Sequence, residues 1–421
     1  PPMSIRDALY ALAVFAVLLL SLRAGPLHAQ DPDSAAVRAA FDSTVAAHTY
    51  TARLADGELT GPGADWLEAR GREADHFLMS ERHGTAEIPK VAASLYERLS
   101  DHGYGPVALE IGPFAAQATN EALAQGGDSA LEALITRYEG PPIPFLHMSE
   151  ESKMAARMAE AGATIWGVDY EFILSLPMHL DALADQAETE RERAAVQAVR
   201  TQMEEDWGGA GGRALGRASP SALQALRAAF EPRADEAALD RIDALLESNA
   251  IYAPYVRTDG SFYESRTRRE TLMKEQLAQY IKEWEAAHNG DAPKVFHKNA
   301  HTGKRNEDFL PLGAFMAEWA RARGEETVHV AADCNGGQIP KTGQGGGGEC
   351  TSWLGGASSP FADHLKEDRI TIIDLESLRP GYYEWDVLSD ERRRMIVSYD
   401  IYVAIPDVRP STPLNPVSGG E

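Results

Sequence analysis

The stretch SERHGTAE, residues 80–87, follows an apolar run, His76–Met79, that predicts the end of a buried strand. After His83, apolar residues recur at helical spacing, which predicts a helix. A strand, a short turn and a helix in this order form the basic unit of an α/β fold. Glu81 and His83 share a parity, so on a strand they point to the same side. The turn therefore presents a carboxylate beside an imidazole.

Short apolar segments alternate with amphipathic helices along the rest of the chain. Further strands are predicted at GPVALEIG, ATIWGVDYE, PKVFHKNAH, ETVHVAAD, DRITIIDL and YDIYVAIPDV. This alternation predicts an α/β fold with a mostly parallel central sheet flanked by helices. Nearer the start, residues 31–55 are predicted as one helix and residues 56–66 as a polar turn region.

Two stretches are predicted to be helical throughout. The region of about residues 177–250 is dominated by Ala, Glu, Arg and Leu, which predicts an all-helical lobe inserted beside the sheet. The segment SRTRRETLMKEQLAQYIKEWEAA, residues 265–287, predicts one long amphipathic helix.

The composition limits the possible partners. The chain of 421 residues is long enough for one large core or two domains. It carries 40 Lys and Arg against 64 Asp and Glu, so its formal net charge is 40 − 64 = −24. Binding to nucleic acid or to an anionic membrane surface needs clustered cations, so this balance argues against both.

The first residues have the form of a targeting segment. Arg6 precedes the apolar run Ala8–Leu22, and Leu27–Ala29 before Gln30 resembles a small-residue cleavage site. We therefore expect a signal peptide over residues 1–29 and an exported protein, with an uncleaved membrane anchor as the alternative. The folded domain is then predicted over residues 30–410, followed by a C-terminal tail over residues 411–421.

The chain has two cysteines, Cys334 and Cys350, on either side of a glycine-rich loop. In an exported protein such residues are expected to form a disulfide, which would constrain the loop. The alternative is two unrelated thiols. Structural zinc usually takes four ligands, so two cysteines alone do not make a zinc site.

Polar residues follow four of the predicted strands where each strand ends. In open α/β sheets, ligands bind outside these carboxyl ends. We therefore expect a site built from the residues that follow these strands: Glu81 and His83, Glu110, Asp169 and Glu171, and His297, Asn299 and His301.

The SERHGTAE turn has the groups that acid–base chemistry needs. A carboxylate at Glu81 would raise the basicity of His83 and fix its tautomer, so that His83 takes a proton from water. Thr85 is expected to cap the next helix, whose first N–H groups would suit a developing oxyanion. The same residues also fit a solvated turn in which Thr85 is an ordinary cap.

The long helix carries a run of charge, Arg266, Arg268, Arg269 and Glu270. This run fits a solvated face of a surface helix. It equally fits a helix whose Arg266 or Arg269 points into the cleft and holds a carbonyl or carboxylate. Three tyrosines precede this run of charge, Tyr252, Tyr255 and Tyr263. They either line a pocket or pack against the helix.

Taken together, these motifs resemble the erythromycin esterase family. SERHGTAE is similar to its GE-x-(T/S)-HG-(T/S)-x-E signature, and GYGPVALEIGPFAAQATNEAL to its next strand and helix. IWGVDYE resembles its GxD strand, SRTRRETLMKEQL its Arg-x-x-x-Met helix, and KVFHKNAHTGKRN its second-histidine strand. YDIYVAIPDVRPSTPL resembles its C-terminal strand and tail. The resemblance covers about residues 70–410, in the family's order.

The resemblance implies a role for each matching residue. His83 would be the water-activating base, oriented by Glu81, and His301 the second active-site histidine. Glu110 would be a cleft carboxylate and Arg269 the cleft arginine. The residues expected to contact substrate are Arg266, Asp169, Glu87 and Tyr263. The implied protein is an exported hydrolase of esters or lactones with a link to antibiotic response; it requires no cofactor, and its partner is a small-molecule substrate.

The sequence departs from the family at several points. Arg82 stands in the signature where a small residue is usual, and HKNAH replaces AHNxH before and at His301. The helical insertion and the loop between Cys334 and Cys350 are further departures. Arg82 is expected to mark a difference in substrate.

Related chemistries remain open, because fold alone does not fix function. The broader superfamily includes haem-uptake ChaN-like proteins and Tiki-type metal-dependent peptidases. In a metal-dependent version, Glu81, His83, Glu110 and His301 would hold a divalent ion that activates the water. A haem-binding version would use His and Tyr as axial ligands. The sequence leaves the oligomeric state open.

Overall fold

The computed structural model describes residues 34–138, 140–210, 214–256, 261–306, 308–340, 348–356 and 358–414. The predicted signal peptide lies outside these residues, as does the glycine-rich stretch 341–347. The strands are β1 (Thr49–Ala55), β2 (Glu58–Thr60), β3 (His76–Ser80), β4 (Tyr104–Leu109), β5 (Thr164–Gly167), β6 (Lys294–Lys298), β7 (Thr327–Ile339), β8 (Gly348–Glu349), β9 (Ile370–Asp374) and β10 (Ile401–Val408).

The helices lie on both sides of these strands and in a separate lobe. They are α1 (Ser34–Ala47), α2 (Pro62–Glu73), α3 (Glu87–Ser100), α4 (Pro113–Thr136), α5 (Ser149–Glu160), α6 (Leu176–Gln186), α7 (Glu190–Ala210), α8 (Ala214–Arg217), α9 (Pro220–Phe230), α10 (Glu236–Val256), α11 (Phe262–Ala287), α12 (Leu312–Arg323) and α13 (Asp390–Ser398). None of the described helices is long and apolar enough to cross a membrane.

Among the described residues the strands form one mixed sheet in the order β2-β1-β9-β10-β7-β3-β6-β4-β5, with β8 paired to β7. The run from β10 to β5 is parallel, and β1, β2, β8 and β9 pair antiparallel. All five residues of β3 are buried, as expected for a parallel strand covered on both faces. The predicted α/β fold with a mostly parallel sheet is confirmed.

The prediction of one helix over residues 31–55 is wrong for its second half. Helix α1 ends at Ala47, and β1 then pairs antiparallel with β9, with Thr49 opposite Ile373. Residues 49–51 are threonine, tyrosine and threonine, residue types that favour strands, and β1 is only partly buried, with Ala52 as its one buried residue. Strand β2 and helix α2 occupy the region predicted as a polar turn.

The inserted lobe consists of α6 to α10, which follow β5 and precede α11. These helices bury their apolar faces against one another around Leu180, Leu223, Phe230 and Leu245, all of them 0% exposed. The lobe thus has an apolar core of its own beside the sheet.

The strand order brings four carboxyl ends side by side, those of β3, β6, β4 and β5. Gly167 lets the backbone after β5 pack directly against the backbone after β4. A Cβ added at this position would lie 2.2 Å from the Gly112 carbonyl oxygen. Beyond it, the Asp169 N–H donates to the Ile111 carbonyl at 2.9 Å. The segments after β4 and β5 are therefore joined, and the residues that follow the two strands face one cleft.

Candidate active site

His83 stands between two buried carboxylates. Its Nδ1 is 3.3 Å from Glu81 Oε1, within reach of an ion pair although the angles are not those of a hydrogen bond. Its Nε2 is 3.7 Å from Glu110 Oε2. The imidazole is 35% exposed, whereas the two carboxylates are only 2% and 5% exposed. His83 is thus the member of this group that solvent and substrate can reach.

A tight turn and an aromatic ring orient His83. Gly84 has φ +81°, a left-handed conformation that favours glycine, and it turns the chain directly after the histidine. On the other side, the ring of Phe145 stacks on the imidazole with centroids 4.4 Å apart and an interplanar angle of 19°. The ring plane of His83 is therefore fixed by a neighbour from outside its own turn.

Glu110 lies between both histidines. Its Oε1 accepts from Arg269 Nη2 at 2.7 Å and lies 3.4 Å from His301 Nε2. Its Oε2 accepts from the Ala300 N–H at 2.9 Å and faces His83. Burial alone would raise the pKa of Glu110, but His301, His83 and Arg269 outweigh it and hold the pKa well below its usual value. Glu110 is therefore an ionised carboxylate that faces both imidazoles.

His301 has a carboxylate at each ring nitrogen. Its Nδ1 is hydrogen-bonded to Glu270 of α11, and its Nε2 faces Glu110. Glu270 is held in turn by the Leu312 N–H at 3.0 Å. Burial alone would lower the pKa of His301, but the two carboxylates raise it to about 9. At neutral pH His301 is an imidazolium.

The pKa of His83 is also raised. Burial would lower it, but Glu81 and, more weakly, Glu110 outweigh burial. Burial would raise the pKa of Glu81, whereas Lys298 and His83 lower it to about 2. The turn thus holds an ionised carboxylate beside a histidine whose pKa is raised.

Arg269 and Asp169 form the wall next to Glu110. The guanidinium binds Asp169 through Nε at 3.0 Å and through Nη2, and it lies over the Tyr170 ring at 4.8 Å. No hydrogen-bond partner of Arg269 Nη1 is found in the described part of the chain. Both carboxylates hold the arginine in place while that amino group remains available to an oxygen atom in the cleft.

Lys298, the last residue of β6, is a site residue that the sequence did not single out. Its ammonium lies 2.6 Å from Glu81 Oε2 and 2.8 Å from Glu151 Oε2, and its side chain is 2% exposed. Burial raises the pKa of Glu151 to about 7 against the opposing effect of Lys298. A buried lysine at a strand end could have been suspected from its place in HKNAH, but nothing in the local pattern points to Glu151.

Three residues expected to contact substrate lie elsewhere or at the rim. Glu87 accepts from the N–H and from Nε of Arg409, at 2.7 and 3.0 Å, so it anchors the C-terminal segment. Tyr263 is 68% exposed at the start of α11. Arg266 lies 5.4 Å from the Phe309 ring, which is next to His301, and pairs loosely with Asp308 at 3.8 Å. Of the three, only Arg266 is near the cleft.

Thr85 does not cap helix α3. Thr85 donates its hydroxyl to the Arg82 carbonyl at 3.2 Å, and the cap residue Ala86 has no side-chain cap bond. The Ala86 N–H donates to the Arg409 carbonyl at 2.8 Å. The expectation that Thr85 caps this helix is therefore wrong, and the chain after β10 takes the N–H of the cap residue Ala86.

Arg82 points away from the cleft and binds the disulfide region. Its Nε is 2.6 Å from Asp333 Oδ1, and its guanidinium lies 4.7 Å from the Trp353 ring. Cys334 and Cys350 form the predicted disulfide beside these residues. The bulky residue in the signature thus fastens the turn that carries His83 to the segment after β8.

The candidate metal ligands do not form a compact donor set. Within the described residues, only Asp333, Cys334 and Cys350 bring three such atoms within 4.8 Å of one another, and those cysteines are in a disulfide. Glu81 and Glu110 are instead neutralised by Lys298 and Arg269. Organic cations stand where a divalent ion would need free carboxylates, so this arrangement does not fit a metal site.

Solved structures share this architecture. A histidine-to-asparagine mutant of the erythromycin esterase EreC in its open conformation aligns with TM-score 0.58 and 15% identity, over 87% of this chain and 100% of that chain. The chain has an erythromycin-esterase-like fold. A Bacillus cereus protein aligns with TM-score 0.52 at 14% identity, and a succinoglycan biosynthesis protein with TM-score 0.56 at 14% identity, each over 90% of this chain and 99% of theirs. No protein-family profile and no curated protein matches the sequence.

The likeness confirms the family resemblance at the level of fold. An identity of 15% carries no residue roles, so the site is interpreted from its own contacts. Together with Arg269 from α11, the strand ends place Glu81, His83, Glu110, Asp169 and His301 in one cluster. Lys298 from β6, Glu151 from α5 and Glu270 from α11 complete it.

Proposed function

We propose that this protein is a hydrolase of carboxylic esters or lactones in which His83 activates water. The observation that supports the proposal is the arrangement of two histidines on opposite oxygens of Glu110, each with a further carboxylate at its other nitrogen. Groups whose environments shift their pKa values by different amounts can divide the roles of base and acid. The imidazole of His83 is 35% exposed and that of His301 is 13% exposed, so His83 is the one that water reaches more easily, which suits the base.

His83 acts in its neutral form. With the proton on Nδ1, facing Glu81, the lone pair of Nε2 accepts a proton from water. The 3.7 Å between Nε2 and Glu110 Oε2 is longer than a direct hydrogen bond, so the lone pair of Nε2 is not tied up by Glu110 and binds a water molecule beside that carboxylate. The oxygen of that water then attacks the carbonyl carbon of the substrate.

Arg269 and His301 complete the reaction. Nη1 of Arg269 donates to the carbonyl oxygen as negative charge develops on it. Nε2 of His301 gives its proton to the leaving alkoxide, so one ester and one water become an acid and an alcohol. Glu110 faces Nε2 of both imidazoles, so it lies on the route by which the proton returns from His83 to His301.

The proposal requires neither metal nor haem. The carboxylates of the site are paired with Lys298 and Arg269, and all four ring nitrogens of the two histidines face carboxylates. These contacts favour acid–base chemistry over metal or haem ligation.

We also propose that the protein is exported and has a part in antibiotic response. The disulfide is compatible with an oxidising compartment.

An activity screen with matched variants tests this function. Wild type and His83→Ala are assayed on esters, on lactones including macrolides, and on peptides, with and without a chelator. The control is His102→Ala, because His102 is paired with Glu68 at 3.0 Å outside the site. We expect chelator-resistant ester or lactone hydrolysis that His83→Ala abolishes and His102→Ala retains. Full activity in His83→Ala, or loss on chelation, would contradict the mechanism.

A further inference from the structure

The segment Arg409–Leu414, which we call the C-terminal strap, is bonded to the turn that carries His83. The Ala86 N–H donates to the Arg409 carbonyl at 2.8 Å, and the Ser411 N–H donates to the Gly84 carbonyl at 2.8 Å. These two bonds enclose an antiparallel bridge between Thr85 and Pro410. The first half of the strap thus pairs with the His83 turn as a short strand would.

The second half of the strap is bonded in the same way to the loop before α5. The Ser149 N–H donates to the Thr412 carbonyl at 2.8 Å, and the Leu414 N–H donates to the His147 carbonyl at 2.9 Å. Glu150 accepts from the N–H of Thr412 at 2.8 Å. One short segment therefore joins two parts of the chain that are more than 60 residues apart in sequence.

This second loop carries Phe145, the residue that stacks on the imidazole of His83. Phe145 has φ +61°, which is a left-handed conformation that an aromatic residue rarely adopts. The Met148 N–H donates to the Phe145 carbonyl at 2.8 Å, directly before the residues that the strap holds. Such a conformation persists only when its surroundings impose it, and it is common at functional sites.

We propose that the C-terminal strap positions His83 by holding its turn and the Phe145 loop in register, and that Phe145 is a positioning residue for the imidazole. The inference rests on the proposed function in that His83 is the base. The physical reason is that a base must keep its lone pair aimed at the water within a fraction of an ångström. The Gly84 turn alone leaves the ring free to rotate, and the stacked phenyl ring restricts it.

Glu87 acquires a role in this arrangement. Its carboxylate binds Arg409 on the α3 side, and Glu150 binds Thr412 on the α5 side, so each half of the strap has an acidic side chain from the helix it crosses. The strap is thus fixed at both ends by side chains as well as by backbone bonds.

Proline substitutions delete single strap bonds without removing a side chain from the cleft. Ser411→Pro removes the N–H that binds Gly84, and Leu414→Pro removes the N–H that binds His147. The matched controls are Ser411→Ala and Leu414→Ala, which keep both N–H groups; the Ser411 hydroxyl has no partner among the described residues. Phe145→Leu removes the stacked ring, and Phe145→Tyr retains it.

Two readouts separate the strap from the proposed function. The first is the proton NMR shift of His83 Cε1–H, which the stacked phenyl ring displaces through its ring current. The second is kcat and KM on the substrate found in the screen. Ser411→Pro, Leu414→Pro and Phe145→Leu are expected to lose the ring-current shift and to lower kcat about tenfold, or about 1.4 kcal/mol of activation free energy. KM is expected to change little, and Phe145→Tyr to behave as wild type.

Either readout can overturn the inference. If both proline variants keep the His83 shift of their alanine controls, the strap does not position the imidazole, whatever the protein hydrolyses. If the shift is lost while kcat stays at the control value, the position of the ring does not matter to the reaction. If His83→Ala retains full activity, the proposed function fails, and the NMR shift still decides whether the strap holds the ring.

Discussion

Glu81 Oε2 binds Lys298 Nζ at 2.6 Å while Oε1 of the same carboxylate faces His83. A lysine from the end of β6 and a histidine from the turn after β3 therefore share one buried carboxylate. The ammonium stabilises the ionised form of Glu81, and the ionised form is the one that orients the imidazole. Glu151 contacts the other side of the ammonium, so the lysine is enclosed by two acids.

Removing this ammonium should destabilise the fold strongly. Lys298→Met removes the cation that two buried carboxylates share, and breaking a buried ion pair in this way typically costs about 3–5 kcal/mol. We expect a loss of this size in the free energy of unfolding, measured by urea denaturation at neutral pH. The double variant Lys298→Met/Glu151→Gln should recover part of it, because the glutamine carries no charge for the ammonium to neutralise.

Lys304→Met is the matched control for that experiment. Lys304 also binds a buried carboxylate, Asp400, at 2.6 Å, but Asp400 keeps Arg379 as a second cation at 2.7 Å. The control should therefore cost less than Lys298→Met. An equal or smaller cost for Lys298→Met would show that the Glu81 site tolerates the loss of its cation.

The pH dependence of kcat/KM should be bell-shaped. His83 must be neutral to act as the base, so the rate rises as pH increases through its raised pKa. His301 must be protonated to act as the acid, so the rate falls as pH increases through about 9. The measurement is initial rate at low substrate concentration across pH 5–11. A profile that keeps rising above the pKa of His301 would exclude His301 as the acid.

Glu270→Gln should move only the alkaline limb of that profile. The amide still accepts from the Leu312 N–H, but it lacks the negative charge that helps to raise the pKa of His301. The alkaline limb is therefore expected at lower pH than in wild type, and the acid limb should stay in place. Coinciding limbs in the two proteins would mean that Glu270 does not tune the acid.

The sequence predicted the parallel strands and the residues at their ends because both depend on local pattern. Apolar runs such as His76–Met79 are short and continuous in buried parallel strands, and polar residues directly after them are exceptional. Strand β1 was assigned to a helix because alanine and valine spacing continues into it from α1. Its pairing with β9 involves residues more than 300 positions away, which no local pattern reveals.

The missed and misplaced site residues have the same origin. Glu151 and Glu270 lie on helices, where an acidic residue usually means a solvated face. Only the packing of α5 and α11 against the strand ends buries them beside Lys298 and His301. Glu87 is the last residue of the signature, and its position predicts a substrate contact. Its carboxylate instead binds Arg409 of the strap.

His301 should also make stability depend on pH. Its pKa is raised in the folded protein, from 6.5 to about 9, so its contribution is complete below pH 6.5 and is lost as pH rises through about 9. The shift corresponds to roughly 3 kcal/mol. We expect the difference in free energy of unfolding between wild type and His301→Asn to shrink by this order between pH 6.5 and pH 10. A constant difference for His301→Asn across this range would refute the assignment.

Breaking the Cys334–Cys350 disulfide should act through Arg82 on the turn that carries His83. The disulfide closes a loop of 16 residues, and cross-links of that span contribute about 3 kcal/mol to stability. Asp333 precedes Cys334 in the chain. Its carboxylate accepts hydrogen bonds from Arg82, the Trp353 N–H and the Tyr402 hydroxyl, each at 2.6 Å.

We expect the double variant Cys334→Ser/Cys350→Ser to unfold at lower urea concentration and to have a lower kcat. Arg82→Ala in the intact protein should lower kcat with a smaller loss of stability, because it releases the turn and keeps the cross-link. If the serine variant kept its full kcat below its unfolding transition, the disulfide would stabilise the loop without holding the turn.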